Sequence, residues 1–170
     1  MPPGRGGEAS LDKRVLADTL ANINIFSGLD RDQLELLAER FFIASHPPGT
    51  PILEEGERGE RLSIVLEGQV EIFLPADPSH PDRINNIRLT TMGSGELFGE
   101  YSLIDMRPVS ASVRTLTDCR LLQIENESLH HLINHHAALG RQFYANLLLV
   151  LIDRLRQDDQ ELDLFAFASG

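Results

Sequence analysis

Leu62-Ser-Ile-Val-Leu-Glu-Gly-Gln-Val-Glu-Ile-Phe-Leu74 is the stretch that decides the fold class. Leu62, Ile64 and Leu66 alternate along the chain, Glu67-Gly68 offers a tight turn, and Val70, Ile72 and Leu74 alternate again on the far side. A period of two on both flanks of a turn predicts a β-hairpin. Outward from it, the chain from Pro47 onward is a run of short alternating segments punctuated by Gly and Pro, the texture of an all-β unit rather than of βαβ repeats. Further strands are predicted at Ile87 to Thr91, Ala111 to Leu116 and Arg120 to Ile124, with the polar stretch Pro75 to Asn86 as a surface loop.

Helical spacing returns on both sides. Leu11, Val15, Leu16, Leu20 and Ile23 form one amphipathic face. Asp30 with Gln33 makes a capping-box start for a second helix whose face is Leu34, Leu37, Ala38 and Phe41. After the barrel, Asn126 is the expected N-cap of a helix carrying Leu129, Leu132 and Ile133, and a long helix is predicted from about Ala137 to about Leu162. In that helix Tyr144, Leu148, Leu151, Leu155 and Leu162 form a seam, while Phe143, Leu147 and Val150 lie on neighbouring faces. An apolar surface that wide needs two partners, and a homodimer through the C-terminal helix is the expected second one. The fold class is therefore mostly β with flanking α: a jelly-roll-like β barrel (44–125) between N-terminal helices (11–43) and C-terminal helices (126–162), after a loose 1–10 and before a tail 163–170.

Composition agrees with one domain. Of 170 residues, 42% are hydrophobic and 24% charged, enough apolar side chain for a real core and unlike a disordered chain. Fifteen Lys plus Arg against 26 Asp plus Glu leave a charge of -11, so nucleic acid is not expected as a partner. The one cysteine, Cys119, cannot form an internal disulfide and reads as a small core residue. The longest apolar run, Leu147 to Ile152, is far short of the roughly 20 residues that span a bilayer by helix, and no signal-peptide pattern precedes it. A cytoplasmic location without membrane partners is the expectation.

The segment with chemical content is Gly93-Ser-Gly-Glu-Leu-Phe-Gly-Glu-Tyr-Ser-Leu-Ile-Asp-Met-Arg-Pro-Val-Ser-Ala-Ser-Val113. Read as residues, Phe98-Gly99-Glu100 followed by Tyr101 to Asp105 suggests a glycine that admits close approach of a ligand, then a helical turn whose first amides face an anion. Glu100 could accept a hydroxyl hydrogen bond, or instead cap the turn. Ser110-Ala111 places small residues beside a ligand, with the Ser110 amide and hydroxyl as donors. Tyr101 reads as a partly buried neighbour.

This segment resembles the phosphate-binding cassette of the cyclic-nucleotide-binding domain family, of catabolite-activator and kinase-regulatory-subunit type. The resemblance extends through Ile25 to Asp30, Pro48-Gly49, Glu55 to Glu57, Gly59, Gly68 and Cys119 to Ile124, covering roughly Leu20 to Leu155. It implies a sensory module in which a ligand such as cAMP or cGMP repositions the final helices and signals to an unknown protein effector on another chain. It implies ligand contacts at Phe98, Gly99, Glu100, Tyr101, Ser110 and Ala111. At the position after Pro108 the family places an arginine against the phosphate, and Val109 stands there instead. Losing a charge-assisted pair worth about 1.5 to 3 kcal/mol predicts binding weakened roughly 10- to 1,000-fold. Arg107, two residues earlier, could reach the phosphate from a displaced position, or lie in solvent and pair with Asp105.

Two readings follow: a stand-alone receptor for a cyclic nucleotide, bound weakly, or for a different small anion; or a degenerate domain that binds a protein partner constitutively. No required cofactor is expected. His131 and His135 have a metal-compatible spacing, but no Cys or carboxylate completes a set, and no metal site is expected. No nucleophile stands beside a base, so an enzyme is not expected.

Overall fold

The strands are β1 (Phe42–His46), β2 (Pro51–Leu53), β3 (Arg61–Glu67), β4 (Val70–Leu74), β5 (Ile87–Met92), β6 (Leu97–Phe98), β7 (Ser112–Thr115) and β8 (Cys119–Glu125). The helices are α1 (Lys13–Ala21), α2 (Arg31–Ala38), α3 (Glu100–Asp105), α4 (Asn126–His135) and α5 (Ala137–Ala168), with a 3₁₀ turn at Asn24–Phe26. The computed structural model describes residues 12–168, with side-chain surroundings through residue 160. The expected loose segment 1–10, Leu11 and the side chain of Leu162 lie outside that description.

The strands form two antiparallel four-stranded sheets, ordered β1-β8-β3-β6 and β2-β7-β4-β5, with flanking helices. The mostly-β class with a jelly-roll-like arrangement is as expected, and the two sheets do not close into a barrel. The predicted hairpin is corrected: β3 and β4 are consecutive but lie in different sheets, β3 pairing with β6 and β8 and β4 with β5 and β7. The turn itself is where Glu67-Gly68 was read. It tucks against the connection between β7 and β8, where the Gln69 amide donates to Thr117 Oγ1 at 3.0 Å and the Leu116 amide to Gln69 O at 2.8 Å. Gly68 has φ +89°, and a Cβ there would stand 2.3 Å from Asp118 O. Two turns that each cross from sheet to sheet are thereby stapled together.

The alternation of β3 feeds two cores. Leu62 and Ile64, with Leu122 and Ile124 of β8, pack against helices through Leu20, Phe26, Leu37, Leu129, Phe143 and Leu147. Val65 and Leu121 face the other way, toward Val70, Met92, Phe98 and Val113. Both faces of the first sheet are covered, which is why β3 and β8 are buried nearly end to end.

The helix starts follow local hydrogen bonding. Both halves of the α2 capping box form, Gln33 N donating to Asp30 Oδ1 at 2.9 Å and Asp30 N to Gln33 Oε1 at 3.0 Å. Asn126 is the first residue of α4 rather than its N-cap, which is Glu125. The β8 ladder holds on to the helix start, with Asn126 N donating to Glu60 O at 2.8 Å and its side-chain amide to Gly59 O at 3.1 Å. The last helix, α5, runs past the expected end to Ala168. Among the described residues no helix is long and apolar enough to cross a membrane.

Candidate functional site

Gly99 sets the geometry. It lies between β6 and α3 in the left-handed region (φ 86°, ψ 3°), and a Cβ there would stand 2.4 Å from Arg61 O, so only glycine lets the chain pass this close to β3. The turn delivers Glu100 into the interior, where it is 4% exposed. The end of the cassette is pinned by backbone bonds: Val109 N donates to Glu57 O and Gly56 N to Val109 O, each at 2.8 Å. Gly59 makes room for α3, since a Cβ there would stand 2.4 Å from Ser102 Oγ and 3.2 Å from Val109 Cγ2.

A cavity of about 310 Å³ opens between these segments, near the lower end of the roughly 300–1,000 Å³ range of small-molecule sites. Phe98, Gly99, Glu100 and Tyr101 line it on one side, and Val109, Ser110 and Ala111 on another. Ile72, Leu89, Met92 and Val113 supply an apolar wall from the second sheet. Tyr101 also lines it but is 57% exposed, against the partial burial expected from sequence.

Arg107 is the exception among the predicted contacts. It lies outside the cavity lining, 83% exposed, with Nε 3.9 Å from Asp105 Oδ2 and its amide donating to Asp105 Oδ1 at 2.9 Å. The reason is local. The chain leaves α3 through Met106 in the left-handed region (φ 54°), and Ser102 Oγ takes hold of the Arg107 carbonyl at 3.2 Å, turning its side chain outward.

Sequence reasoning missed the cation that is present. Arg154, 54 residues beyond Glu100 and carried on α5, lines the cavity and donates to the Glu100 carboxylate and to Leu97 O. Burial pushes the Glu100 carboxyl above its ordinary value, while the Arg154 charge, the residue's own amide and the Arg154 hydrogen bond pull it down. No short-range pattern announces this pair; an arginine interrupting the apolar face of α5 was the one available signal.

His131 and His135 stack with ring centroids 4.1 Å apart on the exposed face of α4, and no group of three potential metal ligands occurs among the described residues. Cys119 is buried, its thiol facing Gln69 O at 3.1 Å.

Comparison with known proteins gives concordant matches. The model of the cyclic nucleotide-binding domain matches residues 43–136. A Mycobacterium tuberculosis protein named CRP-like cAMP-activated global transcriptional regulator is 32% identical over 145 residues, 85% of this chain and 61% of that protein. The cyclic AMP receptor protein of Thermus thermophilus is 34% identical over 143 residues, 84% of this chain and 62% of that protein. The crystal structure of the Thermus thermophilus catabolite activator protein superposes with a TM-score of 0.67 at 34% identity, covering 85% of this chain and 63% of that one. The chain thus spans about three-fifths of the length of the curated relatives it matches. These relatives are regulatory proteins, one of them by name a transcriptional regulator, and that overturns the expectation that nucleic acid is excluded as a partner. The expectation rested on net charge, which governs long-range, non-specific attraction and does not decide what a regulator of this kind acts upon.

Proposed function

The chain belongs to the cyclic nucleotide-binding domain family, and on that premise we propose that its cavity is a receptor site for a cyclic nucleotide or another small phosphate-like anion, with occupancy transmitted through α5. The observation that carries this is the convergence, in one cavity, of the cassette residues Gly99, Glu100, Ser110 and Ala111 with a side chain of α5. A ribose hydroxyl would meet the Glu100 carboxylate and a base would lie against Leu89, Met92 and Val113. Val109, where relatives of the family type carry a guanidinium, makes the site weak toward cyclic AMP. A homodimer through α5 belongs to the same proposal: Phe143 and Leu147 are spent on the core, while Tyr144, Leu148, Leu149 and Leu155 remain exposed.

One observation favours the second reading, a domain whose pocket stays empty and whose helices bind a partner constitutively. Glu100 already has an internal partner in Arg154, so its burial is compensated without ligand. Calorimetry with cyclic AMP and cyclic GMP, on the parent and on Val109→Arg, separates the two. Weak heat in the parent that strengthens roughly 10- to 1,000-fold in the variant supports the receptor. No heat in either at millimolar ligand supports the constitutive module.

A further inference from the structure

We infer that Arg154 is the side chain that selects for a phosphate in this cavity, delivered by α5 in place of the cassette arginine, so that the charge of the ligand is read by the helix that carries the output. The inference rests on the receptor reading of the cavity and adds to it which residue discriminates.

Charge singles out Arg154. Among the described residues lining the cavity, Arg154 is the only Lys or Arg, while Glu96, Glu100 and Asp158 are acidic. Without Arg154 the lining would carry negative charge alone, and a phosphate would be repelled rather than held. Arg58, joined to Pro108 of the cassette by a backbone bridge, is exposed and outside the cavity lining, and four further arginines are paired with carboxylates. Arg83 reaches Glu55 at 2.8 Å, Arg88 and Arg114 reach Glu71 at 2.5 and 2.7 Å, and Arg107 faces Asp105.

Donor accounting leaves room for a ligand. A guanidinium has five N–H donors in a planar fork. Nη1 serves Glu100 and Nη2 serves Leu97 O, one donor each, which leaves three. An oxyanion can therefore be bound without breaking the Glu100 pair. The two bonds also fix the plane of the fork, so little further side-chain ordering is required when an anion arrives. Both residues line the cavity, and Arg154 is the more accessible of the pair, its side chain 22% exposed against 5% for Glu100.

The position on α5 gives the arrangement its directional character. A cassette arginine would hold phosphate wherever α5 lay; Arg154 holds it only when α5 lies across the cavity. Binding and helix position then become one equilibrium, and an anion can shift it only through its preference for the closed arrangement.

The test compares cyclic AMP with adenosine, which lacks the phosphate, by calorimetry on the parent, Arg154→Gln, the Glu100→Gln/Arg154→Gln double variant, and Val109→Arg/Arg154→Gln. The parent is expected to prefer cyclic AMP, and Arg154→Gln to lose about 10- to 100-fold of cyclic AMP affinity with adenosine little changed. Should the single variant fold poorly because Glu100 is left unpaired, the Glu100→Gln/Arg154→Gln protein removes both charges and must show the same collapse of the ratio. Val109→Arg/Arg154→Gln should regain the preference. A ratio in both Arg154 variants equal to the parent's overturns the assignment of Arg154 while leaving the receptor standing. A parent that binds neither ligand overturns the receptor reading, and this inference with it.

Discussion

Asn146 of α5 donates its side-chain amide to two backbone carbonyls at once, Ile25 O at 2.9 Å and Ser27 O at 2.8 Å. Its own carbonyl oxygen accepts from Gln142 at 3.1 Å. The 3₁₀ turn has no side-chain cap of its own, so Asn146 ties that turn to α5 at the edge of the helical core. Asn146→Ala should cost about 2 kcal/mol, since it strands two carbonyls in a site only 9% open to water. Urea denaturation measures this, and a loss under about 0.5 kcal/mol would mean that water takes over both bonds.

Gly99→Ala should be among the most destabilising substitutions in the chain. It combines a left-handed backbone, costing an L-residue about 1–2 kcal/mol, with a Cβ 2.4 Å from the Arg61 carbonyl. A loss above about 2 kcal/mol in chemical denaturation is expected, and α3 must shift if the variant folds at all. A Gly99→Ala protein as stable as the parent would show that the turn relaxes freely.

These two residues also mark how far the sequence could be read. The capping box at Asp30 and Gln33, the turn at Gly68 and the glycine before Glu100 are local devices, written within four residues, and each occurs where its pattern placed it. Pairing is different. Leu62 to Leu74 has the periodicity and the turn of a hairpin, yet β3 and β4 separate into two sheets. Choosing between a hairpin and a sheet-crossing turn depends on Thr117 and Asp118, some 50 residues away. Arg154 was hidden for the same reason: its partner Glu100 is distant in sequence, and the break an arginine makes in the apolar pattern of α5 does not name that partner.

The ionisation of Glu100 predicts a pH dependence of known sign. Its carboxyl titrates above the ordinary 4.5 because burial disfavours the charged form. The stability it contributes is therefore complete below about pH 4.5 and is lost as pH rises through the raised value, because the folded state holds the proton more tightly than the unfolded one. Arg154 faces Glu100, and Glu96 and Asp158 line the same cavity. His46 acts in the opposite sense. Its buried Nε2 has no hydrogen-bond partner among the described residues and burial lowers its pKa, so its contribution is present above pH 6.5 and falls away as pH drops through the lowered value. Melting temperatures followed from pH 4 to 8 should lose the first slope in Glu100→Gln and the second in His46→Gln. Unchanged profiles in both would refute the assignments.

The exposed strip on α5 predicts self-association. Light scattering at tens of micromolar should give a dimer mass, and Leu148→Glu, which replaces a side chain 58% exposed in the single chain, should give a monomer without loss of melting temperature. A parent that scatters as a monomer removes the dimer from the proposal.

Lys13, which pairs with Glu39 where α1 meets the end of α2, is the only lysine in the sequence. A reagent selective for side-chain primary amines therefore has a single address on the protein, at a corner built from helices that contribute nothing to the cavity lining. Copies tethered through that nitrogen would all be held at the same point, outside the cavity lining, and a biosensor chip prepared this way would report on uniform molecules rather than a scatter of attachments.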